Sequence, residues 1–250
     1  MKTIRHSTCS WIATATLSAL LLLPAKAVDL ITNGGFESGF AGWTRVDQLG
    51  SVGTFFVQTG LFSPVLGYSV PPQPQGAFAA MTDAAGPGSH VLYQDFFVPT
   101  SNAFTLNFSL FTGNQAQVYY VPSTLDFATP ALNQQARVDV ISTSANPFSV
   151  AAGDILENVF QTQPGDPLPN GYTNFSIDLT TLLTAHQGET LRLRFAEVDN
   201  VNTFNFGVDN VSLNTRSSST VPETLPWLAQ AVSVVGVLVL GSVFRRRSVR

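Results

Sequence analysis

The sequence predicts an all-β protein, an antiparallel β-sandwich of the jelly-roll type, and three observations support this prediction. Short runs rich in Val, Phe, Leu and Thr recur along the chain, and such residues favour strands. Several runs alternate apolar and polar side chains, as strands with one buried face do. Clusters of Gly, Pro, Asn and Asp, which are typical of turns, lie between the runs. Many short strands with little helix indicate two packed antiparallel sheets.

Eight runs carry the strand pattern: residues 53–58, 76–82, 91–98, 104–111, 136–142, 174–179, 190–197 and 205–213. The alternation is clearest in the run 190–197, where the leucines and the phenylalanine share one face and the arginines share the other. One helical turn is predicted at residues 179–187. Asp178 is placed to cap the start of this turn and Gly188 to end it.

The first 27 residues are typical of a secretory signal peptide. Lys2 and Arg5 supply the positive start, and an apolar stretch follows over residues 11–23. An Ala-Lys-Ala sequence that ends at Ala27 has the small-x-small pattern of a cleavage site, so we expect the cut after this residue. The alternative is an uncleaved anchor, but the apolar stretch is short for a membrane span.

The segment from Val28 to Arg216 is acidic and lacks cysteine. It has five arginines, no lysine and fifteen acidic residues, a net charge of −10 against −4 for the whole chain. A nucleic-acid-binding domain needs a basic face, so this class of partner is excluded. The acidity suits calcium or a neutral ligand such as a glycan, although solubility alone would also explain it. Because the single cysteine, Cys9, lies in the signal peptide, the mature domain would have neither a disulfide nor a thiolate metal site.

The C-terminal tail predicts a membrane helix. An uncharged run extends to Phe244 and is followed at once by three arginines. A helix over about residues 225–244 would cross the hydrocarbon core of a bilayer, with the arginines on the cytoplasmic side. The chain is therefore predicted to comprise a signal peptide (1–27), a sandwich domain (28–216), a Ser-rich linker (217–220) and this tail (221–250).

The tail resembles the PEP-CTERM sorting signal of exopolysaccharide-producing bacteria. The matching residues are the motif Val221, Pro222, Glu223 and Thr224, and the cluster Arg245, Arg246 and Arg247. The family usually has a second proline where this chain has Thr224. The resemblance implies an exosortase-type transpeptidase as a partner, removal of the helix, and release from the inner membrane to the surface or matrix of a Gram-negative-type bacterium. The alternative is a plain C-terminal membrane anchor.

Three motifs of the domain resemble galactose-binding-like jelly rolls, in particular carbohydrate-binding modules that open with NGxFE and a tryptophan. The opening residues are 33–37 with Trp43, the middle strand has Gln94, and residues 207–213 match the closing DNVxL strand. The resemblance implies binding of an exopolysaccharide or another glycan. It also implies that the first and last strands lie together, with a structural calcium ion beside them.

Three carboxylates match or approach the position of that calcium ion. Glu37 and Asp209 lie in the opening and closing motifs, and Asp83 is a third candidate. Calcium takes six to eight oxygen ligands, so carboxylates near exposed backbone carbonyls are the expected chemistry. The alternative is that these side chains cap turns or accept hydrogen bonds from backbone amides.

The candidate sugar-stacking residues are Tyr119, Tyr120, Phe55, Phe56 and Tyr68. Adjacent aromatic residues on a strand point to opposite faces, so one ring of each pair should be exposed or lie in a groove. Tyr68 is in a proline-rich loop. The tryptophan of the opening motif is instead expected to pack in the core or against the turn.

No catalytic motif is present in the sequence, so we expect a protein that is not an enzyme. Two hypotheses follow, a glycan-binding module and a structural surface or coat protein without a small ligand. A binder should present a solvent-facing aromatic ring beside Asn, Gln or Asp in a concavity. A coat protein should show a broad flat patch or an exposed edge strand.

Overall fold

The computed structural model describes residues 27–216. The predictions for the signal peptide, the linker, the sorting motif, the membrane helix and the arginine cluster lie outside these residues. Within the described range, none of the helical segments has the length and apolar character of a membrane span.

Residues 27–216 form eleven strands and one helix. The strands are β1 (Ala27–Asp29), β2 (Thr44–Asp47), β3 (Thr54–Gln58), β4 (Ala79–Asp83), β5 (Gly88–Phe97), β6 (Phe104–Asn114), β7 (Gln134–Ser142), β8 (Ile155–Gln161), β9 (Thr173–Asp178), β10 (Thr190–Asp199) and β11 (Phe204–Arg216). The helix, α1 (Thr180–Ala185), lies between β9 and β10.

The strands form two antiparallel sheets. The first sheet has the order β3-β4-β11-β6-β9, with β1 also paired to β11, and the second has the order β2-β5-β10-β7-β8. From β4 to β11 the chain crosses repeatedly between the sheets, and this alternation confirms the predicted jelly-roll sandwich. The first and last strands pair, as the family resemblance implies, with Val28 opposite Thr215.

The core lies between the two sheets because each strand turns its apolar side chains to one face. On β10, Leu191, Leu193 and Phe195 are buried there, and the Phe195 ring packs against the rings of Phe108 and Trp43. Full burial of one such side chain stabilises a fold by about 1.5–3 kcal/mol. Inward-facing apolar side chains of this kind therefore hold the two sheets together.

The opposite face of β10 has the arginines, as the alternation predicts. Arg194 is fully buried under the segment that precedes β8, where its guanidinium contacts the Asp139 carboxylate and donates to the carbonyl of Pro147 at 2.7 Å. Arg192 donates to Asp95 at 2.7 Å and lies 3.8 Å from the centre of the Tyr93 ring. This outer face is thus cross-linked by ion pairs.

The predicted helical turn is confirmed at its position in the chain, but the predicted capping residue is wrong. The N-cap residue is Leu179, which supplies no side-chain hydrogen bond. Asp178 lies one residue earlier and accepts a hydrogen bond from the Thr180 N–H at 2.8 Å. Its carboxylate therefore satisfies an amide of the first turn from outside the cap position.

Candidate functional site

A groove opens at one edge of the sandwich, where β8 of the second sheet lies beside β9 of the first. Its volume is about 320 Å³, which is in the range of small-molecule sites. The lining side chains that matter below are aromatic, hydroxyl and acidic: Tyr119, Phe160, Phe175, Thr112, Thr173 and Asp166. We call this feature the edge groove.

Two partly exposed rings form the apolar wall of the edge groove. Phe160 is on β8 and Phe175 is on β9, and both are half-buried. Phe175 stacks on the core residue Phe108 with ring centres 5.1 Å apart, and Phe160 meets Phe175 edge to face at 5.1 Å. Because packing fixes both rings, a ligand that contacts them would restrict little additional motion.

The floor and the rim of the groove are polar. Tyr119 is only 1% exposed, and its hydroxyl donates to Thr112 Oγ1 at 3.0 Å. Burial raises the pKa of Tyr119, the Thr112 hydrogen bond opposes this rise, and the Asp166 charge adds to it. Asp166 is exposed at the rim and accepts a hydrogen bond from the Gln163 N–H at 2.7 Å. The groove thus offers an anionic acceptor beside aromatic rings.

The five predicted sugar-stacking residues differ in burial and lie in different parts of the structure. Phe55 is fully buried and Tyr119 lies at the groove floor, whereas Phe56 and Tyr120 are half-buried. Each adjacent pair therefore has one buried and one more accessible ring. Phe55 and Phe56 lie on β3, as predicted, whereas Tyr119 and Tyr120 lie between β6 and β7, where Tyr120 makes only an isolated bridge to Gln134. Tyr68 is 41% exposed and lies in the loop between β3 and β4. Of the five, only Tyr119 is in the edge groove.

The sequence did not indicate the two rings of the groove wall. Phe160 is in β8, a strand that was not predicted because its residues do not alternate and its pairing with β7 has two register shifts. Phe175 is in a predicted strand and faces the same side as Ile177. The pairing of Phe108 with Phe175 across β6 and β9 depends on register, which periodicity within one strand does not reveal.

The opening motif forms a turn that is closed by its own side chains. Asn33 has a φ of 53°, and its side-chain amide donates to the carbonyls of Gly39 and Ala41 at 2.9 and 3.0 Å. Trp43 is buried, as expected, and its indole N–H donates to the Asn33 carbonyl at 3.1 Å. These contacts make the motif a structural element.

Gln94, the middle-strand residue of the same resemblance, ties the turn to the second sheet. Its Oε1 accepts from the Thr32 N–H at 2.8 Å, and its Nε2 donates to the Thr32 carbonyl at 3.0 Å. This pair of bonds mimics a strand pairing and leaves no part of the buried amide without a partner.

Glu37 and Asp209 meet at one short segment before β4. Glu37 Oε1 accepts from the N–H groups of Ala77 and Phe78 at 2.9 and 3.1 Å, and Asp209 Oδ2 accepts from the Gln75 N–H at 2.9 Å. Burial raises the pKa of Asp209 to about 6; hydrogen bonds from the backbone N–H groups of Gln75 and Asn210 oppose the rise and the Glu37 charge adds to it. The two carboxylates are therefore close enough to repel each other.

This pair fits calcium in part. Two neighbouring carboxylates are suitable oxygen ligands, and a cation would remove their repulsion. The same oxygens already accept backbone N–H groups, which is the alternative that the sequence left open. Calcium at Glu37 and Asp209 stays a prediction.

The structure places Asp83 apart from this pair. It ends β4, whereas Glu37 and Asp209 contact the segment before that strand. Asp83 Oδ2 accepts from the N–H groups of Val65 and Leu66 at 2.6 and 2.8 Å. Its carboxylate therefore holds the exposed loop between β3 and β4.

No protein-family model matches the sequence, and no curated protein matches it. The structure is similar to that of TmCBM61 in complex with β-1,4-galactotriose, with a TM-score of 0.45 and 13% identity over 76% of this chain and 99% of that chain. It is also similar to the K3 cleaved adhesin domain of Lys-gingipain from Porphyromonas gingivalis W83, with a TM-score of 0.46 and 14% identity over 76% and 99%. The Stig cyclase Fisc from Fischerella sp. TAU is similar with a TM-score of 0.46 and 18% identity over 78% and 100%.

Proposed function

We propose that this protein is an exported, non-enzymatic glycan-binding module that holds its ligand in the edge groove. The observation that carries the proposal is the combination of two fixed, partly exposed rings, Phe160 and Phe175, with the Asp166 carboxylate in one concavity. The apolar C–H face of a sugar packs on an aromatic ring, and its hydroxyls donate to a carboxylate. This arrangement meets the criterion set for a binder from the sequence.

The charge of the domain supports a neutral glycan. The net charge of −10 between Val28 and Arg216 would repel an anionic polysaccharide, and Asp166 at the rim would add to this repulsion locally. A neutral sugar has no such penalty and supplies hydrogen-bond donors. The resemblance of the opening and closing motifs to carbohydrate-binding modules supports the same class of ligand.

Export and sorting form the second part of the proposal and rest on the sequence. The signal-peptide pattern at 1–27 and the PEP-CTERM-like tail at 221–250 favour an inner-membrane intermediate that an exosortase-type enzyme releases to the surface or matrix. Intact-mass measurement of the protein from its own host tests this. Loss of the residues after the motif supports sorting, and an inner-membrane protein that keeps its whole tail contradicts it in favour of an anchor.

A structural coat protein remains the second candidate because of one exposed loop. Leu61, Phe62, Val65 and Tyr68 all expose large apolar surfaces between β3 and β4. Such a cluster can form contacts between proteins. Tyr68 also keeps its place as an alternative sugar-stacking residue, so both candidates predict an effect of changing it.

The test is binding of the full-length protein to an array of neutral oligosaccharides and to its host's exopolysaccharide. Phe160→Ala combined with Phe175→Ala should weaken binding by more than about tenfold, because each ring contact contributes about 0.5–1.5 kcal/mol beyond its buried area. Phe97→Ala is the matched control, since Phe97 is an exposed ring outside the groove. It should leave binding unchanged.

Two outcomes contradict the groove assignment. Binding that survives the double change but is lost in Tyr68→Ala moves the site to the exposed loop. A parent protein that retains no glycan favours the coat protein, whose self-association should then depend on the same loop.

A further inference from the structure

A second cluster of ionisable side chains lies inside the sandwich, on the neighbouring strands β5 and β10. His90 pairs with Glu197 across the two strands, and Gly88 pairs with Asp199. These residues share the inner face with the core side chains of both strands, because side chains alternate along a strand. His90, Glu197 and Asp199 are 2%, 1% and 5% exposed. The inner face of β10 therefore changes from apolar to acidic at its end.

The imidazole of His90 is oriented by a hydrogen bond from its Nδ1 atom to Asp47 on β2. The distance from His90 Nδ1 to Asp47 Oδ1 is 2.7 Å. Because a carboxylate only accepts hydrogen bonds, Nδ1 carries the hydrogen, and Nε2 has a free lone pair once the imidazole is neutral. A carboxylate or carbonyl behind the ring is the usual partner of a metal-ligating histidine.

Gly88 leaves the space that the Nε2 atom of His90 occupies. A Cβ atom at position 88 would lie 2.3 Å from His90 Nε2, so any larger residue would collide with the ring. Nε2 therefore occupies the space beside Asp199, whose Oδ1 accepts from the Gly88 N–H at 2.8 Å. One atom from each of His90, Glu197 and Asp199 lies within 4.8 Å of the other two.

Glu197 supplies an independent observation that points to a ligand. Its Oε1 is buried and has no hydrogen-bond partner among residues 27–216. The neighbouring Thr82 hydroxyl donates its hydrogen to the Phe204 carbonyl at 2.9 Å. A buried carboxylate oxygen without a partner is costly. It needs a proton or a cation.

Burial raises the pKa of both carboxylates. It raises the pKa of Glu197 well above its ordinary value, and the Asp199 charge adds to the rise. Burial also raises the pKa of Asp199 to about 7, against the effects of the His90 charge and of backbone hydrogen bonds.

We propose that His90 Nε2, Glu197 and Asp199 form a site for a divalent transition-metal ion of the zinc class. An imidazole nitrogen with two carboxylates suits such an ion, whereas calcium and magnesium prefer oxygen ligands alone. Zinc sites with three protein ligands keep a fourth position open. A tetrahedral ion with ligands about 2.1 Å away holds them about 3.4 Å apart, so binding would draw the three side chains together.

A cleft gives access to the site. It has a volume of about 180 Å³ and is lined by residues 85–87 and 199–203, so that Asp199 belongs both to the cleft and to the cluster. An ion that enters by the cleft would therefore meet Asp199 first, since His90 and Glu197 do not line it.

The experiment uses the full-length protein, stripped with chelator and titrated with zinc alone. Calorimetry and metal analysis should show one zinc ion per chain. Glu197→Gln should weaken zinc binding by more than about 100-fold. Asp47→Asn should weaken it by about 10–100-fold, the range typical of changing the hydrogen-bond partner of a metal-ligating residue. Gly88→Ala should also weaken binding, because it fills the space of Nε2.

Two matched controls separate this site from surface binding. His186 also contacts a carboxylate, Glu189, at 2.9 Å but is outside the cluster, and Glu157 is an exposed glutamate on β8. His186→Gln and Glu157→Gln should bind zinc as the parent does. Loss of binding in His186→Gln, unchanged binding in Glu197→Gln, or no zinc in the parent each overturns the proposal.

X-ray absorption decides the matter if Glu197→Gln does not fold. Zinc bound to the His186→Gln variant should show one imidazole and oxygen neighbours. A spectrum with oxygen neighbours alone removes His90 from the site and overturns the proposal.

Discussion

The two long edges of the sandwich differ in how they are covered. At the β2 and β3 edge, which we call the closed edge, two rings of the opening motif point into the core, and a shallow concavity lined by Phe40, Arg45 and Asp47 lies over the edge. Phe36 and Trp43 enter the core there, with ring centres 5.3 Å apart. Arg45 then joins the sheets, because its Nη1 donates to the Phe55 carbonyl on β3 at 2.8 Å.

At the β8 and β9 edge, which we call the open edge, the two sheets meet through rings that remain partly exposed. Phe160 and Phe175 contact each other across the gap, and the edge groove lies over them. The motif residues that carry the family resemblance and the proposed binding residues therefore lie at different edges. In this chain, side chains of the opening motif stabilise one edge, and the other edge keeps accessible rings.

The largest effect that the comparison predicts is on stability at the closed edge. Trp43→Ala should lower the free energy of unfolding by about 3–5 kcal/mol, because it removes a buried indole and leaves a cavity. Phe160→Ala, at the open edge, should cost only about 1–2 kcal/mol, since its ring is half-buried. Urea unfolding of both variants measures the difference. Equal costs would show that the open edge is as important for stability as the closed edge.

The next effect concerns calcium at Glu37 and Asp209, where the opening motif meets β11. An ion that binds only the native state stabilises it by about 2.7 kcal/mol at one hundred times its Kd. Adding millimolar calcium to the chelator-treated protein should therefore raise the melting midpoint by about 5–10 °C. Asp209→Ala should remove most of this shift, because it deletes a ligand of the predicted site.

An unmoved midpoint in the parent protein would contradict the calcium prediction. Glu37 and Asp209 would then act only through the backbone N–H groups that they accept. Zinc should be tested in parallel, because binding to His90 and Glu197 is expected to continue in Asp209→Ala.

The smallest effect is at the rim of the open edge. Asp166→Asn should weaken glycan binding by about threefold to tenfold, because it replaces a charged acceptor by a neutral one of the same shape. The melting midpoint should change little, since Asp166 is exposed. Affinity electrophoresis in gels that contain the host polysaccharide measures this change. Tighter binding by Asp166→Asn would indicate an anionic ligand instead.

The sequence was sufficient for much of the fold because side-chain alternation is local. It assigned the two faces of β10 correctly, and all eight predicted strands correspond to observed ones. It missed β1 and β2, which are short and largely exposed, and β8, whose irregular pairing interrupts the alternation. The pairing of β1 with β11 followed from the family resemblance alone.

The candidate sites could be predicted less well because they depend on register between distant strands. His90 and Glu197 become neighbours only through the pairing of β5 with β10. The groove rings meet only because β8 and β9 lie at the same edge of different sheets. The aromatic pairs chosen from the sequence were local signals, and the structure buries Phe55 on β3 and Tyr119 in the segment between β6 and β7.

The most direct test of the account is a map of backbone amide shifts in the labelled full-length protein as short neutral oligosaccharides of the host polysaccharide are added. The account predicts that the shifted amides cluster at residues 160–175, around Phe160, Asp166 and Phe175, while those of residues 33–43 at the closed edge stay unchanged. Shifts confined to the closed edge or to the loop around Tyr68, or no shifts at saturating sugar, would contradict the claim that the open edge binds a glycan.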